Sequence, residues 1–354
     1  MSTSTPTPDL ASPDWLLAGF AADRRLYHLA QVSRSTYRQT AFLDHRIHPM
    51  PTATLSVDEA QLDATLRHIN NPRSAWIFHT GFCCSTLLAS CLDHPGTTLV
   101  LREPMVLSRL AQLKRDQQET PVGQKLIFNV LAMCERSYPG EAVLIKPSNF
   151  ANALLPALAN NPASTSERKV VLMSSGLDSL LVSIMKKKAE AEATLPGFVR
   201  SLLKDSDYQQ RTDIHDVGAL SLLQQSVVFW HCQRYFLQNY IAAALPGSFM
   251  TLSMERFLAE PEWVLGETSQ FLGLGIEESE LQETVRSGAF TRHSKQQQKE
   301  YNPQAHQLEQ RETVKQFGVE ISQALDWAQP LLDKLPVSAF DAFEEGSSIG
   351  TAKT

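Results

Sequence analysis

The chain has 354 residues, of which 43% are hydrophobic and 20% charged, with a formal net charge of −6. These are proportions of a globular chain rather than a disordered one, and the acidic balance argues against a general nucleic-acid or anionic-membrane binder while leaving room for a local basic pocket. Cys83, Cys84, Cys91, Cys134 and Cys232 make an odd, irregular set that points to free thiols in a reducing, cytoplasmic setting. No apolar run reaches the roughly 18 residues of a membrane span, and the start lacks the basic and apolar regions of a signal peptide.

Residues 1–13 are Ser/Thr/Pro-rich and are expected to be a flexible N-terminus. Over 14–72 the spacing of Leu17, Phe20, Leu26, Leu29 and Val32, and of "SVDEAQLDATLRHI" with Ser56 as cap, predicts a helical extension. Short apolar runs at 75–78, 97–101, 142–145 and 169–173, separated by helix-length segments, predict buried strands in a βαβ rhythm. This rhythm implies a parallel sheet covered by helices, with ligands expected beyond the strands' C-terminal ends.

After Met173 the chain reads as mainly helical to about Leu245. "MKKKAEAEA" is a solvated face, "SVVFWHCQRYFLQNYIAAAL" a long buried helix, and "SFMTLSM" a fifth strand before a further helical stretch. The segment 297–313 is polar and poor in strand formers, so 73–335 is read as one α/β domain and 336–354 as a flexible tail.

The turn after the first buried strand, "TGFCCST", could hold an anion on backbone N–H groups: Gly81 permits the turn, and Ser85 and Thr86 add hydroxyls at a helix start. It lacks the lysine of GxxxxGK[ST], and a serine-capped buried helix without a ligand is the plain alternative. The same sheet edge collects Arg102 and Glu103 in "LREP", Lys146 in "IKPSN" and Ser174, Ser175 and Ser183 in "MSSGLDSLLVS". Glu103 could take a proton and Lys146 neutralise a transferred anion, whereas an Arg–Glu pair is commonly structural and such serines commonly cap or line helices. "SGAFTRHSKQQQ" offers Arg292 and Lys295 as a basic lid or an ordinary wet loop, and Glu255 in "SMERF" could orient backbone groups. His79, Cys83 and Cys84 lack a matching second ligand pair, so no metal site is expected.

Taken as an ordered set from about 74 to 295, these stretches resemble the sulfotransferase family, especially its bacterial branch and tyrosylprotein sulfotransferase relatives. The resemblance implies a P-loop NTPase-like three-layer α/β fold with a central parallel sheet, and transfer of a sulfuryl group from 3'-phosphoadenosine 5'-phosphosulfate to an alcohol, phenol or amine. Where the family's 5'-phosphosulfate loop has a basic residue, a small residue, Gly and two hydroxyl residues, this chain has Phe82, Cys83, Cys84, Ser85 and Thr86. "DHP" with the later "LREP" carries the catalytic-base role to Glu103, and Lys146 matches a basic position after the third strand, where it would replace the charge missing at Phe82.

The family's 3'-phosphate element maps onto Ser174 or Ser175, Asp178 and Ser183, with Arg292 and Lys295 in its basic covering segment. The implied acceptor is a small molecule or peptide bearing a hydroxyl or amine, with no nucleic-acid partner and no metal. A non-catalytic nucleotide-binding or interaction protein of the same fold, and an ATP-dependent phosphoryl transferase, remain the alternative readings.

Overall fold

The structure, a computed structural model, describes residues 8–67, 69, 74–116, 121–159, 168–243, 247–290 and 303–337. Its first elements correct the expected helical extension over 14–72. Strands Trp15–Ala21 (β1), Leu26–Gln31 (β2) and Thr54–Asp58 (β3) form a three-stranded antiparallel sheet in the order β1-β2-β3. A step of three between Leu26 and Leu29 fits a helix, but Leu26 is only half-buried and the large buried side chains are Tyr27 and Leu29, a step of two as on the core-facing side of a strand, with the small Ala30 buried beside them. Pairing of Tyr27 with Val57 and of Leu29 with Leu55 then places that face on the core.

Helices in this region are short. Glu59–Leu66 is capped by Asp58 rather than Ser56: the Asp58 carboxylate accepts from Gln61 N–H at 2.8 Å while the Gln61 side chain accepts from Asp58 N–H at 3.0 Å. Ser56 lies in β3, its Oγ 2.9 Å from His28 Nδ1. The expected loose N-terminus is also tied down where it is described, because Arg136 donates to the carbonyls of Leu10 at 2.6 Å and Ser12 at 2.9 Å.

Ser74–His79 (β4), Thr98–Arg102 (β5), Ala142–Lys146 (β6), Lys169–Ser174 (β7) and Phe249–Ser253 (β8) build a five-stranded parallel sheet in the order β5-β6-β4-β7-β8. All six residues of β4 are buried, which is why the segment reads as a continuous apolar run. Its side chains alternate between two cores. Trp76 and Phe78 join Leu99, Leu101, Ile145 and Leu172 against the N-terminal sheet, and Ala75 and Ile77 join Val100, Leu144, Val171 and Met173 against helices Ser85–Cys91 and Pro261–Leu272. The architecture is thus α/β, a central sheet with helices flanking it.

A third core joins helices Leu177–Met185, Lys188–Leu202, Leu222–Ala243 and Pro303–Lys334. The last of these includes much of the polar segment 297–313, so that polarity belongs to a helix. Among the described residues no helix is long and apolar enough to cross a membrane.

Candidate functional site

The turn that leaves β4 is strained and heavily tied. Gly81, Phe82 and Cys84 have φ of 80°, 52° and 59°, the left-handed region that side chains other than glycine rarely adopt. At Gly81 a β-carbon would stand 3.3 Å from Asn149 Nδ2 and 3.4 Å from Phe229 Cζ, so both backbone angle and space call for glycine. Thr80 N–H donates to Met173 O at 3.1 Å, and Gly81 N–H donates to His79 Nδ1 at 3.0 Å. The other ring nitrogen, Nε2, lies 3.1 Å from Pro147 O, which can only accept. His79 is therefore held as the neutral Nε2–H tautomer.

Two amides lock the turn from outside. Asn152 Nδ2 donates to His79 O at 3.0 Å, and Gln233 Nε2 donates to Thr80 O at 3.0 Å while Gln233 Oε1 accepts from Asn149 Nδ2 at 2.9 Å. The serine cap does not form: Cys84 takes the N-cap position of helix Ser85–Cys91 with no side-chain cap bond, and Ser85 and Thr86 are its first, buried residues. Cys83 Sγ lies 3.6 Å from Met173 O.

Glu103 and Lys146 meet beside this turn because β5 and β6 are neighbours in register, Arg102 opposite Lys146. Glu103 N–H donates to Lys146 O at 2.6 Å, and Glu103 has φ of 48°, in the left-handed region. Lys146 is 0% exposed; its ammonium pairs with Glu103 Oε1 and lies 3.4 Å from Thr86 Oγ1. The Glu103 side chain is 20% exposed, so the pair has one dry partner and one that reaches solvent.

Arg102, the other half of the "RE" pair, is structural. It is buried against the carbonyls of Tyr37 and Arg38 and the Asp93 carboxylate, and burial pulls it below the ordinary guanidinium range against the opposing pull of Asp93. Burial pushes the Cys91 and Cys134 thiols up to about 12, and Cys232 is likewise raised, so all three stay protonated inside the cores.

At the β7 and β8 ends, Ser174 and Ser175 are buried and Ser183 is half-buried on helix Leu177–Met185. Trp230 Nε1 donates to Ser175 O at 2.7 Å, and Gly176 N–H donates to Glu255 Oε1 at 3.0 Å. The structure thus gathers Gly81 to Thr86 with Glu103 and Lys146, and sets Ser175 and Ser183 at the next corner of the same edge. Arg292 and Lys295 lie outside the described residues.

Sequence reading missed several contributors, among them Asn149 and Asn152 from the segment after β6. Gln233 and Phe229 come from the long helix Leu222–Ala243, where Gln233 is one of four glutamines and nothing local sets it apart. Arg46 comes from an irregular segment, stacks on Phe42 at 3.9 Å and is within electrostatic reach of Glu103. Nothing in its sequence surroundings marks it.

No family model matches the chain, and no curated protein matches it. Among solved structures it is similar to a sulfotransferase domain from the curacin biosynthetic pathway, at 12% identity and TM-score 0.38 over 70% of this chain and 98% of that one. It is similar too to the sulfotransferase domain of the Synechococcus PCC 7002 olefin synthase, at 14% identity and TM-score 0.38 over 71% and 96% of the two chains. A sulfotransferase from Alicyclobacillus acidocaldarius matches at 11% identity and TM-score 0.36 over 77% and 100%. At these identities and TM-scores the likeness transfers no chemistry to this chain.

Proposed function

We propose that this chain is a sulfuryl transferase that moves the group from a nucleoside 5'-phosphosulfate, of the 3'-phosphoadenosine 5'-phosphosulfate class, to a hydroxyl or amine of a small-molecule or peptide acceptor. The observation that carries this reading is the placement of Lys146, fully buried yet paired with a carboxylate that reaches solvent, at the helix start just past a strained turn. A dry ammonium is costly to keep and is strongly felt by a neighbouring anion.

That pairing sets the chemistry. Glu103 takes the proton from the acceptor as the acceptor oxygen or nitrogen bonds to sulfur. The bond from sulfur to the bridging oxygen breaks, and its electron pair stays on the departing nucleotide phosphate. Once protonated, Glu103 no longer neutralises Lys146, whose charge becomes available to the leaving phosphate as negative charge gathers there. Thr86 Oγ1, near Lys146 Nζ, would meet the same oxygens. Ser85 opens the helix beneath them.

Calorimetric titration with 3',5'-adenosine bisphosphate and then with ATP and magnesium tests the reading. Binding of the bisphosphate or of adenosine 5'-phosphate without magnesium is expected; binding that requires ATP and magnesium would favour phosphoryl transfer. Glu103→Gln should keep nucleotide binding while lowering transfer to a competent acceptor by about 10²- to 10⁴-fold. Full transfer by that variant would remove Glu103 from the base role.

A further inference from the structure

Leu43 holds an irregular stretch of the chain beside Glu103. Its N–H donates to Arg102 O at 2.8 Å and its carbonyl accepts from Met105 N–H at 2.9 Å, so it is bonded to the chain on both sides of that residue. Phe42 to Arg46 therefore flank the end of β5 where the carboxylate stands. Lys146 pairs with Glu103 Oε1, and Glu103 Oε2 has no hydrogen-bond partner among the described residues. Because the Glu103 side chain reaches solvent, Oε2 is the oxygen left to meet an acceptor.

Arg46, within electrostatic reach of Glu103, has a guanidinium that is fixed on one edge and open on another. It lies over the Phe42 ring at 3.9 Å, and its Nε donates to the two Asp44 oxygens at 2.9 and 3.0 Å while Nη2 donates to Asp44 Oδ2. Asp44 thus takes the Nε–Nη2 edge. Nη1 has no partner among the described residues, and the Arg46 side chain is 51% exposed. The open Nη1–Nη2 edge is a fork of two N–H donors that matches the two oxygens of a carboxylate. An Arg–Asp pair two residues apart commonly does no more than tie a loop, but Leu43 already ties this one, and the pair stands beside the solvent-reaching carboxylate of the reaction.

We infer that Arg46 is a specificity-determining residue for the acceptor, and that the acceptor is a small hydroxy or amino carboxylic acid whose carboxylate meets Arg46 while its hydroxyl or amine meets Glu103. The inference rests on the sulfuryl-transfer reading and names its acceptor class. Phe42 and Asp44 set the guanidinium in place before the acceptor arrives, so little side-chain freedom is lost on binding. A carboxylate held away from the reacting sulfur is bound equally in the ground state and the transition state, which lowers KM and leaves kcat almost unchanged.

Matched probes test it: aliphatic and phenolic hydroxy acids, each beside its methyl ester, titrated calorimetrically into the full chain loaded with 3',5'-adenosine bisphosphate and assayed as acceptors with 3'-phosphoadenosine 5'-phosphosulfate. The acids are expected to bind and react about 10- to 100-fold better than their esters. Arg46→Met should remove that preference through KM, and Arg46→Lys, which keeps the charge without the fork, should restore only part of it. Esters handled as well as acids, or a preference that survives Arg46→Met in a folded chain, overturns the inference and leaves sulfuryl transfer standing. Acid binding that depends on Arg46 in a chain that transfers no sulfuryl group overturns the transfer reading and leaves Arg46 as a carboxylate site. Failure of a folded chain to bind bisphosphate, acid or ester overturns both.

Discussion

Gln233 donates from its side-chain amide to the carbonyl of Thr80 at 3.0 Å and accepts from Asn149 at 2.9 Å. One buried residue on a distant helix thus fastens the turn after β4, which carries Gly81, to the segment that follows Lys146 at the end of β6. Gln233→Glu keeps the shape and the acceptor for Asn149 but removes the donor to Thr80. Chemical denaturation should show a loss of about 1–3 kcal/mol, with the Thr80 carbonyl left unsatisfied. Transfer should fall with it, and Gln233→Asn should not restore it, because the shorter amide cannot reach both partners.

Removing either member of the Glu103–Lys146 pair should have unequal effects. Glu103→Ala strands an ammonium that is 0% exposed and should cost about 3–5 kcal/mol in urea denaturation. Lys146→Met leaves a carboxylate that already reaches water, so the loss in stability should be clearly smaller while transfer is abolished. Equal destabilisation by the two would contradict the dry-and-wet description of the pair.

Glycine substitutions should separate conformation from space. Gly81→Ala meets Asn149 and Phe229 at a φ of 80° and should destabilise by more than about 1 kcal/mol. Gly266, inside helix Pro261–Leu272 with nothing within 4 Å of a β-carbon, should gain about 0.5–1 kcal/mol as alanine. Thermal unfolding of both variants supplies the comparison.

His231 gives the fold an acid-sensitive joint. Tyr208 OH lies 2.8 Å from its Nδ1, and its Nε2 lies 2.8 Å from Leu335 O at the end of the C-terminal helix. Burial lowers its pKa, with Arg234 adding to the effect and the Leu335 carbonyl opposing it. A histidine depressed in the folded state contributes stability above its unfolded value of about 6.5 and loses it as pH falls towards the folded value. The denaturation midpoint of the unaltered chain should therefore drop below about pH 6.5, and that share of the drop should vanish in His231→Asn.

Strands β4 to β8 were legible because segments buried on both faces are written as short apolar runs, each bounded at its C-terminal end by polar or chain-bending residues. Glu103, Lys146 and the Gly81 turn were found for the same reason: they stand at the ends of those runs. The N-terminal strands were hidden because Leu17, Phe20, Leu26 and Leu29 satisfy a helical step, and only the antiparallel partner at Val57 shows which residues of β2 face inward. The cap at Cys84 was hidden because a left-handed non-glycine residue has no local signature.

By itself, then, the chain determined an α/β fold and a chemically mixed sheet edge, since periodic burial and turn chemistry are local properties. Which of those edge residues meet was decided by strand order. The β5-β6-β4-β7-β8 arrangement puts Glu103 against Lys146 and Gly176 against Glu255, contacts between segments far apart in sequence whose energy exists only once the sheet is assembled.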